Sequence, residues 1–127
     1  MKNEFLFSLK KLQEAFGRLK EGTKAAADEL DKDGVIQRFE FTFELLWKTL
    51  KLFLSDQGIL IKSPKESLQE AFKFGLFENE DIFLDMLDDR NLSSHIYSRI
   101  DSEKIYERIK NSYVKEIENL LTGLKDQ

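Results

Sequence analysis

The apolar residues near the start of the chain recur with the period of an α-helix. Their separations of four, three, four and three residues place them on one helix face: Phe5, Leu9, Leu12, Phe16 and Leu19. Ala26 and Leu30 extend this face, and the pattern stops at the turn-forming residues 31–34, where Gly34 would cap the helix. The 127 residues include one proline and six glycines, so breaks are few. The spacing therefore predicts an all-α protein.

Further boundaries predict four more helices. They cover residues 35–56, a segment that starts at Ser63-Pro64-Lys65-Glu66, a segment from Asn79 to an interruption at Asn91-Leu92-Ser93-Ser94, and about 101–124. Serine at the cap, proline at the first position and glutamate three residues after the serine are typical of a helix start. Five helices with short joints predict an up-and-down antiparallel four-helix bundle with an additional short helix. Residues 1–127 are expected to form a single domain.

Two apolar stripes run along the second predicted helix. The broad stripe contains Val35, Phe39, Phe43, Leu46, Trp47, Leu50 and Leu54. The narrow one, here called the Phe41 stripe, lies on roughly the opposite side and contains Phe41, Leu45 and Leu52. An ordinary surface helix has one stripe. Two interpretations stay open: the helix packs inside the bundle on two sides, or the Phe41 stripe meets a second subunit.

Composition excludes several kinds of chemistry. The absence of cysteine excludes thiol catalysis, iron–sulfur clusters and disulfides, and a single histidine excludes metal sites that need two imidazoles from one chain. The glycines are too isolated for a phosphate-binding loop. With 20 basic and 24 acidic residues, the net charge of -4 gives no overall positive field for nucleic acid, so any RNA contact must be local. We expect no metal and no cofactor.

The amino-terminal residues begin an amphipathic pattern instead of an apolar leader, and no stretch approaches the roughly 18 apolar residues of a membrane span. A cytoplasmic protein without a membrane contact is therefore expected. An acidic segment contains Glu78, Glu80, Asp81, Asp85, Asp88 and Asp89. Clustered carboxylates can hold Mg²⁺ or Ca²⁺, but no glycine-containing loop accompanies them. A solvated face or a docking surface for a basic partner is the favoured interpretation.

Hydrogen-bonding side chains are concentrated around the single histidine, from Arg90 to Tyr97. Arginine offers a planar, permanently charged fork for phosphate, and histidine exchanges protons near neutral pH. Together they suffice for metal-free RNA cleavage, with His95 drawing the proton from a ribose 2′-hydroxyl and Arg90 stabilising charge on the phosphoryl oxygens. The alternative is structural: Arg90 caps the acidic helix and His95 is an ordinary turn residue.

This segment resembles a known family. Arg90-Asn91-Leu92-Ser93-Ser94-His95, with Tyr97, is similar to the R-x4-H-x-Y signature of HepT-type toxins, which are HEPN domains. Residues 38–48 and the segment around Ser63-Pro64 resemble the nucleotidyltransferase substrate-binding subgroup of the same family. The resemblance covers roughly residues 3–122.

The resemblance implies a homodimeric helical bundle in which Arg90 and His95 of both subunits meet across the interface, with Phe41, Leu45 and Leu52 as candidate interface residues. It implies catalytic Arg90 and His95. Independently of the resemblance, Asn91 and Ser94 are candidate phosphate contacts, because their side chains can donate hydrogen bonds. The resemblance also implies a partner, a minimal nucleotidyltransferase. In one account the protein is a metal-independent ribonuclease toxin that the partner neutralises by transferring AMP to Tyr97. In the other, it is a non-catalytic subunit that presents substrate to the nucleotidyltransferase.

Overall fold

The computed structural model describes residues 2–93 and 98–127, and every regular element within these ranges is helical. The elements are α1 (Lys2–Ala25), α2 (Glu29–Asp56), α3 (Pro64–Phe74), α4 (Glu80–Ser93), α5 (Arg99–Arg108), a π-helical turn (Ile109–Tyr113) and α6 (Val114–Lys125). The last three elements follow one another without a break and correspond to the fifth predicted helix. The predicted all-α bundle of five helices is therefore confirmed.

The boundary between the first two helices is predicted wrongly, because residues 31–34 belong to α2 and form no turn. The N-cap of α2 is Asp28, whose carboxylate accepts the backbone N–H of Asp31 at 2.8 Å. In return, the Asp31 carboxylate accepts the backbone N–H of Asp28 at 3.4 Å, which completes a capping box. This reciprocal capping offsets the weak helix propensity of Gly34. As a result Leu30, predicted on the buried face of the first helix, is 79% exposed.

The boundaries on either side of α3 agree with the prediction. Helix α2 ends at Asp56, as expected. The Ser63 hydroxyl accepts the backbone N–H of Glu66 at 3.1 Å, and Pro64 occupies the first position of α3. Helix α3 ends at Phe74, and its C-cap is Gly75, whose φ of 94° is a left-handed conformation that glycine adopts without strain.

The end of α4 lies later than the sequence predicts. Asn91, Leu92 and Ser93 fall in the predicted interruption, but all three belong to α4. The Ser93 hydroxyl donates to the Arg90 carbonyl at 2.9 Å and so satisfies one of the carbonyls that a helix end leaves unpaired. The next helix begins at Arg99, two residues before the predicted start, because Ser98 serves as its N-cap.

The centre of the bundle is α2, which contacts α1, α3, α4 and α5. Six residues of its broad stripe are buried and Trp47 is half-buried: Val35, Phe39, Phe43, Leu46, Leu50 and Leu54. The Phe41 stripe is covered only in part, since Leu45 and Leu52 pack against the core while Phe41 is 61% exposed. Within the described ranges, no helix combines the length and apolar character needed to span a membrane.

Candidate functional site at the end of helix α4

Arg90 lies near the end of α4 and reaches across to α2. Its guanidinium forms an ion pair with the carboxylate of Glu44, and its Nη1 donates to the Asn91 side-chain oxygen at 3.1 Å. The Arg90 side chain is 30% exposed, so a solute has access to it. A guanidinium carries five N–H donors in a planar fork, which suits a phosphate as well as a carboxylate. Arg90 is therefore placed to bind an anion at the protein surface.

Glu44 has cationic and polar neighbours besides Arg90. The Lys48 ammonium lies 3.4 Å from its carboxylate, one turn further along α2. Burial favours the neutral form of Glu44, but the Trp47 indole and the charges of Arg90 and Lys48 outweigh it and hold the pKa of Glu44 below its usual range. The carboxylate is therefore ionised at neutral pH and balances the charge of Arg90. The buried Trp47 indole N–H itself makes no hydrogen bond of normal geometry within the described part of the chain.

A second ion pair lies directly beside Arg90. The side chain of its basic member, Arg108, is 43% exposed, whereas the residue that supplies its carboxylate, Asp89, is only 6% exposed. Arg108 of α5 binds it with two hydrogen bonds, from Nε at 2.7 Å and from Nη2 at 2.8 Å. The Tyr113 hydroxyl, from the π-helical turn, donates to the same carboxylate at 2.5 Å. Burial together with the Asp89 carboxylate raises the pKa of Tyr113 well above its usual range, and the hydrogen bond to Asp89 raises the pKa of Arg108.

Residues 6–126 match the family described as nucleotidyltransferase substrate binding protein like. The chain belongs to this family. It is also 31% identical over 99 residues to a protein of Haemophilus influenzae named "Probable ribonuclease HepT", a match that covers 74% of this chain and 67% of that protein. The two findings confirm the predicted resemblance to the HepT-like subgroup of HEPN proteins.

A solved structure has the same fold as this HepT-like chain. It is the crystal structure of a protein from Thermus thermophilus, with a TM-score of 0.84 and 32% sequence identity. The match covers 90% of this chain and 98% of that one. The bundle described above is thus an architecture observed by crystallography.

Two of the predicted site residues, Arg90 and Asn91, are found side by side on α4. Three others, Ser94, His95 and Tyr97, lie outside the described residues, so their roles stay predictions. Of the acidic segment, Asp81, Asp85 and Asp88 are exposed. Residues 2–93 and 98–127 contain no group of three or more histidine, cysteine, aspartate or glutamate side chains that could hold a metal ion.

Sequence reasoning did not find Glu44, Asp89, Arg108 or Tyr113 as members of this site. The Glu44–Arg90 contact joins residues 46 positions apart, and spacing along one helix cannot show it. Asp89 did carry a signal, because it follows the buried residues Phe83 and Met86 at intervals of three. That spacing continues the buried face of α4, although the aspartate stands in an acidic segment.

The charged side chains on α2 are mainly acidic before Glu44 and mainly basic after it. Toward its start, three carboxylates line a cleft of about 310 Å³ together with Ser93 and Arg99: Glu29, Asp33 and Glu40. Toward its end lie Lys48 and Lys51, both exposed at least in part. A polyanion held at Arg90 is therefore repelled on the first side and attracted on the second.

Proposed function

We propose that this HepT-like protein is a metal-independent endoribonuclease, the toxin of a pair with a minimal nucleotidyltransferase. The observation that carries the proposal is the exposure of the Arg90 side chain at the protein surface. The first residue of the R-x4-H-x-Y stretch reaches the surface 30% exposed and is paired with Glu44, in a chain 31% identical to a protein named as a probable ribonuclease. An accessible guanidinium at this point is the group that such chemistry needs.

The proposed reaction uses one imidazole and one guanidinium. His95 takes the proton of a ribose 2′-hydroxyl, and the 2′-oxygen forms a bond to the adjacent phosphorus. The bond from phosphorus to the 5′-oxygen of the next nucleotide breaks, and an imidazolium returns a proton to that oxygen. Arg90 stabilises the negative charge on the phosphoryl oxygens, while Asn91 and Ser94 are proposed to contact the phosphate. The products are a 2′,3′-cyclic phosphate and a free 5′-hydroxyl.

A homodimer formed through the Phe41 stripe is part of the proposal. Phe41 precedes Glu44 by three residues on α2, so the two side chains are neighbours on the helix surface. A second copy seated on Phe41, Leu45 and Leu52 would lie next to the Arg90–Glu44 pair. Two copies of Arg90 and His95 in one cleft would supply the local positive charge that a chain of net charge -4 lacks.

RNA cleavage in the presence of EDTA tests the ribonuclease directly. We expect the purified protein to cleave single-stranded RNA and to leave 2′,3′-cyclic phosphate ends. His95→Ala and Arg90→Ala should each reduce the rate by roughly a hundredfold or more, with the helical circular-dichroism signal unchanged. Lys10→Ala is the control, because Lys10 is an exposed cation on α1, an element that carries no residue of the candidate site. A wild-type protein without activity, harmless when expressed alone, would contradict the toxin assignment.

The second candidate function is a non-catalytic substrate-binding subunit of a two-component nucleotidyltransferase. The family description favours it, since residues 6–126 match proteins described as nucleotidyltransferase substrate binding protein like. Incubation with the partner enzyme and ATP separates the two functions. Under the toxin proposal Tyr97 gains the mass of AMP and RNA cleavage stops, whereas Tyr97→Phe stays unmodified. Under the alternative, this chain stays unmodified and a third molecule receives the nucleotide.

A further inference from the structure

Asp89, the residue immediately before Arg90, is a buried carboxylate with no role in the proposed reaction. It is 6% exposed, and both of its oxygens are bound by Arg108, at 2.8 and 2.7 Å. The Tyr113 hydroxyl donates a third hydrogen bond at 2.5 Å. Burial of a carboxylate is unfavourable unless it is paired and hydrogen-bonded, and Asp89 meets both conditions. This arrangement is called the Asp89 network below and consists of Asp89, Arg108 and Tyr113.

Tyr113 connects the Asp89 network to the central helix. It is 2% exposed and belongs to the π-helical turn between α5 and α6. Its ring stacks on Phe39 of α2, with the ring centres 5.4 Å apart and the planes inclined by 22°. A π-helical turn is a rare insertion in an α-helix and is frequently found at functional sites. The turn at Ile109–Tyr113 therefore joins α2, α4 and the last helix at one buried point.

We propose that the Asp89 network positions Arg90 for the proposed ribonuclease reaction, on which this inference rests. Arg90 lies three residues before the end of α4, where helices fray because their last carbonyls lack partners. Consecutive residues project about 100° apart around a helix. When Asp89 is held in the interior, this part of α4 cannot rotate about its axis. The Arg90 side chain therefore leaves the helix in a fixed direction, toward Glu44. Asp89, Arg108 and Tyr113 are thus positioning residues that act through the backbone of α4.

The number of hydrogen bonds at the buried Asp89 carboxylate indicates that the Asp89 network helps to hold Arg90 in place, in addition to the Glu44–Arg90 ion pair. The side chains of Glu44 and Arg90 are 32% and 30% exposed, and such partly exposed pairs constrain a side chain weakly. The Asp89 side chain is only 8% exposed, and its carboxylate accepts three charge-assisted hydrogen bonds, two of them from Arg108, whose side chain is 43% exposed. Loosening the network would misplace the guanidinium relative to the charge of the transition state. Such a loss lowers kcat more than it raises KM, because the negative charge that Arg90 stabilises is largest in the transition state.

Tyr113→Phe is the test, because it removes one hydroxyl and keeps the ring on Phe39. We expect kcat for RNA cleavage to fall roughly tenfold with KM unchanged within about a factor of two. Arg108→Lys keeps the charge but loses the bidentate contact with Asp89, so it should also lower kcat. This variant replaces Tyr113→Phe as the test if Tyr113→Phe does not fold. The matched control is Tyr106→Phe, since Tyr106 is also 2% exposed but belongs to α5 and lies against Lys32.

The second readout is the NMR signal of the Arg90 guanidinium, which does not depend on activity. The Nη–H resonances, assigned by their loss in Arg90→Lys, should shift or broaden in Tyr113→Phe and match the wild type in Tyr106→Phe. Unchanged kcat would overturn the proposal, as would a fall in kcat with unchanged Arg90 signals. If the wild-type protein cleaves no RNA, the ribonuclease proposal fails. The positioning role is then tested by NMR alone, and Arg90 signals that are the same in Tyr113→Phe as in the wild type would overturn it.

Discussion

Glu44 of α2 and Arg90 of α4 form an ion pair, although 46 residues separate them in the chain. The pair ties the centre of the bundle to the last turns of α4. Both side chains are about one-third exposed, so the carboxylate and a phosphate group from solution can compete for the same guanidinium. The Glu44 carboxylate therefore binds Arg90 in the way that is proposed for the phosphate of the RNA.

Glu44→Gln should strengthen the binding of RNA. The amide removes the competing charge at Arg90, and a partly exposed pair of this kind is worth up to about 1 kcal/mol, or roughly a fivefold change in affinity. The measurement is titration of a short RNA in the His95→Ala background, where no cleavage interferes. Glu14→Gln is the control, because it changes the net charge equally at an exposed position on α1. Weaker binding in Glu44→Gln would show that Glu44 supports the RNA contact.

The same carboxylate should make the stability of the fold depend on pH. Because the pKa of Glu44 is lower in the folded protein than its usual value, its contribution is present above the ordinary glutamate pKa of about 4.3. That contribution disappears as the pH falls through the lower folded pKa. Urea unfolding should therefore show that the difference in free energy between wild type and Glu44→Gln shrinks below about pH 4. A difference that stays constant across this range would contradict the assignment.

Local sequence patterns predicted most helices because each is decided within a few residues. Ser63 and Pro64 form the start of α3 as expected, and the broad apolar stripe of α2 is buried apart from Trp47. The boundary between α1 and α2 was predicted at the turn-forming residues 31–34, whereas α2 begins after the capping box of Asp28 and Asp31 and continues through those residues. The burial of Val35 and Ile36 against the core adds a tertiary contribution to this continuous helix. A local pattern could not weigh that contribution.

Only those residues of the candidate site that belong to one continuous sequence motif could be predicted. Arg90 and Asn91 could be identified from the R-x4-H-x-Y stretch. Glu44 and Arg108 could not, because their partners lie 46 and 19 residues away and the pairing follows from how α2, α4 and α5 pack. The π-helical turn carrying Tyr113 has no recognised signal in the sequence.

Asp28→Ala should destabilise the protein by about 1 kcal/mol, because it removes the cap of α2 and leaves the backbone N–H of Asp31 without its acceptor. Urea denaturation followed by circular dichroism measures this loss. Asp33→Ala is the control: Asp33 is exposed inside α2, so a change within about 0.5 kcal/mol is expected. Equal losses in both variants would instead favour the turn at residues 31–34.

Phe41→Glu should dissociate the proposed homodimer. Phe41 is 61% exposed in the single chain, and Leu45 and Leu52 beside it are half-buried. A carboxylate at the centre of an apolar interface leaves a buried charge unpaired, and a central aromatic contact contributes about 2 kcal/mol or more. The dissociation constant should therefore rise at least about thirtyfold.

Sedimentation velocity over a concentration series measures this change. Leu60→Glu is the matched control, because Leu60 is 80% exposed and lies in the loop between α2 and α3, away from the Phe41 stripe. The control should keep the wild-type dimer. Urea unfolding should show that Phe41→Glu keeps the stability of the monomer within about 0.5 kcal/mol, since an exposed position carries little packing energy. A wild-type protein that sediments as a monomer, or a Phe41→Glu variant that stays dimeric, would exclude the Phe41 stripe as the interface.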